Sequence, residues 1–447
     1  MNKRKQQIAL FILCLGFFMV ILDATIVNVA LPSIAHGLNT NISGLQWIVA
    51  GYTLSFASLL LLAGSITDRI GGKQSLLLGL IGFLITSLAC GFAPNTQTLI
   101  TFRILQGAAA TFLIPASLSI INIIFAEKKE RARAIGVWGG IGGIAAASGP
   151  IIGSFLIAMF SWRAIFLVNV PIAFFASLLL YYVIAPTKPA LRKTNLDWIG
   201  LLFSIIFTFS LALSLIEAGR YGWESTFVIS AFVVALISLS IFIYVEKRVK
   251  FPTIPLEFFK SKTFSISVIT GFIINFGLYG ELFLLPLYFS KIKHYTVIQI
   301  GFAILPLLIF ISIASYLSGK VAGRFGPKRP TLIGLIIGAL GFLGLWLTTN
   351  TSLGYYWLIL PLVGMGFGVA FTMPAATFIA IHSVPEKNTG IASGTFTTAR
   401  QMGSLIGVAV FGSIVASSTT FMQGFHITLL AAAGIFIVGF ALNLKIN

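Results

Sequence analysis

GSITDRIGGK at residues 64–73 and GKVAGRFGPK at residues 319–328 are one phrase written twice, 255 residues apart. Gly64, Arg69, Gly71 and Lys73 recur as Gly319, Arg324, Gly326 and Lys328. Four matches in ten positions is modest for a chain with 44 glycines, so position carries the weight. Each copy fills a short basic turn between the second and third apolar stretches of its own half. Parallel repeats of this kind predict two related helical halves embedded in a membrane.

The rest of the chain agrees. Of 447 residues, 57% are apolar and only 9% are charged, far below the roughly 25% charged residues of a soluble domain. Water-soluble cores could not hide so much apolar side chain, whereas runs of about 20 apolar residues span a bilayer. Hydropathy and its breaks predict fourteen spans, near 8–34, 45–66, 75–93, 98–124, 132–158, 163–184, 197–216, 225–245, 265–290, 298–319, 331–349, 355–380, 390–416 and 421–443. The expected fold is all-α and integral to the membrane, with two six-helix halves plus an inserted helix pair. The segments are 1–184, a linker at 185–262 holding the pair, and 263–447. The polar stretches 185–196 and 246–263 bracket that pair.

A net charge of +18 raises nucleic acid as a partner, and the placement of the charges argues against it. Of 29 Lys and Arg, 23 fall in one alternating set of loops that includes both termini. Four lie in the other set: Arg163, Arg220, Lys291 and Lys293. The positive-inside rule then predicts cytoplasmic termini. The N-terminal Lys3-Arg4-Lys5 and its apolar run lack a cleavage site, so the run reads as a retained first helix. Asn-x-Ser matches at Asn41 and Asn350 fall in the outside loops.

Ionisable side chains inside spans are costly and therefore candidates for function. There are four: Asp23, Arg103, Glu281 and Arg400. At 1.5 Å of rise per residue, Asp23 sits about 22 Å up from the cytoplasmic side and Arg103 about 8 Å down from outside. In a core of about 30 Å those depths coincide. Glu281 falls at a similar level and Arg400 near the middle. A buried carboxylate responds to desolvation and to nearby cations, so opening to either side would load or release a proton. The competing reading of Asp23 and Arg103 is a permanent ion pair that fixes helix packing.

GVWGGIGGIAAASGPIIGS at 136–154 is almost free of bulky side chains, which suits close helix contact in lipid. Gly149-Pro150 should weaken or bend that helix. It reads either as packing alone or as a hinge. The 41 Phe residues would suit an apolar ligand where they line a cavity. Cys14 and Cys90 lie in spans and imply neither a disulfide framework nor a metal site. His36, His294, His382 and His426 are scattered without catalytic or metal spacing, and no phosphate-binding Gly-Lys-Ser/Thr loop is present. No enzymatic activity and no cofactor are expected, the proton gradient being the energy source.

Several motifs together resemble the fourteen-helix drug:proton antiporter branch of the major facilitator superfamily. They are LDATIVNVALP (22–32), QWIVAGYTLSFASLLLLAGSITDRIGGK (46–73), FRILQGAAATFLIPAS (102–117), SGPIIGS (148–154) and TARQMGSLIGVA (398–409). The resemblance implies proton coupling at Asp23 and Arg103, with Glu281 joined to them by the symmetry of the halves. It implies a conformational switch at Gly64, Asp68, Arg69, Gly71 and Lys73, and an exporter motif at Gly149, Pro150 and Gly153. Asn28, Gln106, Arg400 and Gln401 are candidates to line a cavity. Departures are Ala145 and Ser154, where the exporter motif ordinarily has Gly, and Gly323, where the first loop copy has Asp68. Glu281 also departs, pointing either to a preference for cationic ligands or to a second proton site.

The implied activity is export of small lipophilic compounds in exchange for protons, by alternating access, from a bacterial cytoplasmic membrane. The partners are then a small-molecule substrate and the lipid bilayer, with no nucleic acid. Some similar proteins also require a periplasmic adaptor and an outer-membrane channel. The alternatives are a dedicated metabolite exporter (siderophore, antibiotic, lipid or amino acid) and a non-transporting receptor or scaffold.

Overall fold

The computed structural model describes residues 3–185, 197–249, 254–349, 353–385 and 388–446. Lys188, Arg192, Lys193, Lys250, Lys387, Asn350 and the linker stretch 186–196 lie outside the described residues. Fifteen α-helices follow one another, with no strand among the described residues. Helices are the expected solution, because lipid offers no partner for backbone N–H and C=O groups.

The first seven are α1 (Lys3–Gly37), α2 (Ile42–Ile70), α3 (Gly72–Gly91), α4 (Thr96–Ile124), α5 (Lys128–Met159), α6 (Ala164–Leu167) and α7 (Asn169–Val183). The remainder are α8 (Trp198–Tyr221), α9 (Thr226–Glu246), α10 (Lys262–Lys291), α11 (Val297–Phe325), α12 (Lys328–Thr349), α13 (Tyr356–His382), α14 (Thr389–Ser417) and α15 (Phe421–Leu444). Thirteen stretches are long and apolar enough to cross a membrane, and α2, bent by 54° between Leu60 and Leu62, makes fourteen.

The sixth span, expected as one helix over 163–184, is interrupted at Val168 between α6 and α7. Pro171 supplies the reason: it cannot donate to the Leu167 carbonyl, and its ring crowds that oxygen. The break does not recur at Gly149-Pro150, where α5 continues through as a single helix. Helix starts are capped by side chains the sequence supplies. Asn95 accepts from Thr98 N at 2.9 Å, and Thr296 with Gln299 forms a reciprocal capping box.

Contacts divide the chain into two compact units, residues 1–40 with 47–196 and residues 41–46 with 197–447. In the first, α1 packs along α5, and Gly142, Gly149 and Gly153 bring the two close. A Cβ on Gly142 would lie 2.5 Å from Phe17, and one on Gly153 would lie 2.7 Å from Ile26. A Cβ on Gly149 would overlap the Thr25 hydroxyl. Gly136, Gly139 and Gly140 meet nothing within 4 Å, so the small-residue run serves close packing only from Gly142 onward.

In the second unit α10 is enclosed between α14 and α15. Gly280 faces Phe411 and Asn275 donates to Ser404 at 3.0 Å, both on α14. Thr270 accepts from Asn443 of α15 at 2.7 Å. The inserted pair α8–α9 joins this unit through α8, where Ser413 of α14 donates to the Leu215 carbonyl and Gly219 abuts the Ser413 backbone.

The repeated loop has the same construction in both units. Gly71 and Gly326 take positive φ, 88° and 81°, where a side chain would be strained. Two residues on, Lys73 donates to the Tyr181 carbonyl at 2.8 Å near the end of α7. Lys328 donates to the Leu444 and Ile446 carbonyls at the end of α15. Each lysine thus caps the C-terminus of the last helix of its unit, where unpaired carbonyls and the helix dipole favour a cation.

Candidate functional site

Five helices and the turn of α6 converge on one carboxylate. Asp23 of α1 and Arg103 of α4 are both buried, 0% and 1% exposed, and their nearest atoms, Oδ2 and Nη1, are 2.5 Å apart. The level match expected from counting residues is realised. The same guanidinium donates from Nη1 to Gln106 Oε1 at 2.7 Å and from Nε to the Ile48 carbonyl at 3.1 Å. Ile48 belongs to α2, so Arg103 spans three helices with a fork that a lysine could not reproduce. Its carbon Cζ lies 4.4 Å from the centre of the Tyr52 ring and 5.7 Å from that of Phe166 in α6.

Gln106, one turn along α4 from Arg103, ties the cluster together. Its amide donates to Asp23 Oδ1 at 3.2 Å and to Ser87 Oγ of α3 at 2.7 Å. The Cys90 thiol lies 3.7 Å from Gln106 Oε1. Asn169, the first residue of α7, adds a second donor to Asp23 Oδ1 at 3.2 Å. Its side chain is fully buried inside the bundle. Gln106 was a cavity candidate from sequence, and the structure places it within this buried network. Asn169 and Ser87 were not singled out, although an Asn within the apolar run FLVNVPIAFF is the same kind of signal as Asp23.

Ionised Asp23 therefore accepts three hydrogen bonds while Arg103 balances its charge, which is what a buried carboxylate needs. A proton on Asp23 changes the cluster from neutral to positive. Arg103 would keep its bonds to Gln106 and Ile48, so the site can exist in two charge states without losing all its partners.

The other candidates lie around this centre or in the second unit. Asn28, five residues along α1, is buried and donates to the Ala24 carbonyl at 3.2 Å. Gly149 and Gly153 of α5 press on Thr25 and Ile26, next to Asp23 in sequence, with Pro150 on the same helix. In the loop motif Asp68 and Arg69 are exposed, Gly64 faces open space, and Gly71 and Lys73 form the turn and cap described above. Thr67 and Ser75 clasp the turn from inside, with hydroxyl oxygens 2.6 Å apart.

In the second unit Glu281 of α10 is 0% exposed, and neither carboxylate oxygen has a hydrogen-bond partner among the described residues. Arg400 of α14 is half-buried with its Nε unpartnered, its stem 3.1 Å from where a Cβ on Gly271 would lie. Gln401 beside it is also half-buried. Among the described residues no group of three or more His, Cys, Asp or Glu could hold a metal ion.

Many known proteins resemble this chain in sequence or in fold. The chain is 35% identical to the methylenomycin A resistance protein of Streptomyces coelicolor, over 96% of this chain and 89% of that protein. It is also 35% identical to the multidrug resistance protein Stp of Mycobacterium tuberculosis, over 93% of this chain and 76% of that one. The fold matches a bacterial homologue of the lysosomal transporter Spinster with a TM-score of 0.73, covering 99% of this chain and 97% of that one at 14% identity. A peptide transporter, POT, matches with a TM-score of 0.75 over 98% and 93% at 14% identity. The family model described as Major Facilitator Superfamily matches residues 13–201 and 196–408, covering both copies of the loop, the Asp23–Arg103 cluster and Glu281. The chain belongs to the Major Facilitator Superfamily.

Proposed function

We propose that this chain exports small lipophilic compounds, cations among them, in exchange for protons by alternating access, with Asp23 as the proton carrier. The observation that carries the reading is the fully buried Asp23–Arg103 pair with Gln106 and Asn169 as further donors. Intramembrane charge of this kind is expensive, and a purely structural role would be met by apolar packing at lower cost. Proton and cargo compete through charge. With Asp23 ionised the cluster is neutral and tolerates a lipophilic cation nearby; with Asp23 protonated the uncompensated Arg103 repels it. Resistance and multidrug functions in the names of two relatives support small toxic compounds as the cargo. In this reading the chain is no enzyme, needs no cofactor, and sits in a bacterial cytoplasmic membrane with both termini inside.

The test uses everted membrane vesicles and ethidium as a lipophilic cation. Asp23→Asn should insert normally yet lose ethidium-dependent proton movement. Undiminished proton movement in that variant overturns the role given to Asp23.

A further inference from the structure

Glu281 is untouched by the reading above, and its surroundings differ from those of Asp23 in every respect that matters to a charge. Along α10, Thr270, Gly277, Glu281 and Tyr288 follow one another at steps of seven, four and seven residues, which is one face of a helix. That face meets α15. Asn443 donates to Thr270, Phe436 lies 2.8 Å from a Cβ on Gly277, Thr428 stands beside Glu281, and Phe425 stacks on Tyr288 with ring centres 4.9 Å apart. Glu281 is therefore sealed in a seam between two helices of the same unit.

Among the described residues no ion pair engages it. On α14, Phe411 packs against the neighbouring Gly280, and Arg400 lies near Tyr279. On α15, His426 is two residues from Thr428, about 200° round the helix and so on another face. On α12, Phe342 lies 3.1 Å from a Cβ on Gly277. Tyr288, two turns along α10, is buried with its hydroxyl unpartnered.

An ionised carboxylate in such a place would have no cation, and the one hydroxyl beside it, that of Thr428, already donates to the Phe425 carbonyl, an arrangement that folded proteins avoid. The neutral acid fits. The Thr428 hydroxyl donates to the Phe425 carbonyl at 2.8 Å, leaving lone pairs that an acid O–H can use. A seam with 0% exposure admits a proton but not an organic cation.

We propose that Glu281 is a proton-binding site of the second unit, separate from Asp23, and not a ligand for the exported compound. It rests on the proton-exchange reading given above and adds one exchangeable proton to it. Binding converts the carboxylate to the acid, and release returns the proton to water when α10 and α15 part.

Two measurements on the full chain in proteoliposomes decide it. The first is the infrared carboxylic-acid stretching band at neutral pH. It should be present in the native protein and in Asp23→Asn, and be lost in Glu281→Gln, which keeps the shape of the neutral acid. An unchanged band in Glu281→Gln overturns the proposal. If Glu281→Gln does not accumulate, Thr428→Val carries the test: the band should shift with its acceptor removed, and an unmoved band again overturns it. The second is proton movement per ethidium, which should fall by about half in Glu281→Gln if each of two acids carries one proton. Unchanged movement there, with loss in Asp23→Asn, overturns this proposal and leaves the Asp23 reading standing. The reverse pattern overturns the Asp23 reading and leaves Glu281 as the carrier.

Discussion

Asn169 of α7 donates to Oδ1 of Asp23 on α1 at 3.2 Å, so the carboxylate is held from two helices, α4 and α7, rather than by Arg103 alone. Asn169→Leu, similar in volume, should insert but lose about 1 kcal/mol of stability, the scale of polar contacts between membrane helices. Thermal unfolding in detergent measures this. A double cycle with Gln106→Leu should show coupling, since both amides serve one oxygen.

Arg103→Lys tests geometry against charge. Lysine keeps the cation but cannot bond Asp23, Gln106 and the Ile48 carbonyl together or lie flat over Tyr52. Ethidium export should fall at least about tenfold, a cost of roughly 1.4 kcal/mol or more in the transport step. Arg103→Ala should be worse, destabilising by about 3–5 kcal/mol because Asp23 is left buried and uncompensated. Export equal to native in Arg103→Lys would show that charge alone suffices.

The glycines of α5 should separate into two classes. Gly149→Ala drives a Cβ into Thr25 and Gly153→Ala drives one into Ile26, so each should cost about 1–3 kcal/mol. Gly136→Ala, Gly139→Ala and Gly140→Ala meet open space and should be neutral to mildly stabilising through helix propensity. Melting temperatures of the five variants distinguish this from a uniform requirement for flexibility.

The two loop copies should behave alike. Gly71→Ala and Gly326→Ala each force a side chain to positive φ with extended ψ, at about 1–3 kcal/mol. Lys73→Ala and Lys328→Ala each remove a cation from a helix C-terminus, at about 0.3–1 kcal/mol. Thermal unfolding should rank the glycine variants below the lysine variants in both units.

Much of this was written in the order of the residues. Apolar runs and basic turns locate the fourteen spans because a bilayer imposes one length and one polarity on every crossing. Residue counting brought Asp23 level with Arg103, since helical rise is constant. What it could not supply was rotation: Gln106 turns into the buried cluster beside Arg103, whereas depth alone leaves open which way a side chain on α4 faces. The linker at 185–262 reads as a separate insert, whereas α8 packs on α14 through Gly219 and Ser413, a contact nearly 200 residues apart in sequence.

The sequence by itself determined that the chain lives in a membrane, that its halves repeat, and which ionisable groups lie at bilayer depth. Those follow from hydrophobic transfer and the fixed rise of a helix, both local properties. Only the tertiary structure decided what each buried charge faces. Asp23 meets three donors, one of them the cation Arg103, while Glu281, alike in chemistry and in expected depth, meets no cation and only the Thr428 hydroxyl beside it. That difference depends on which helix faces turn toward each other, and so on the packing of whole helices rather than on any single stretch of chain.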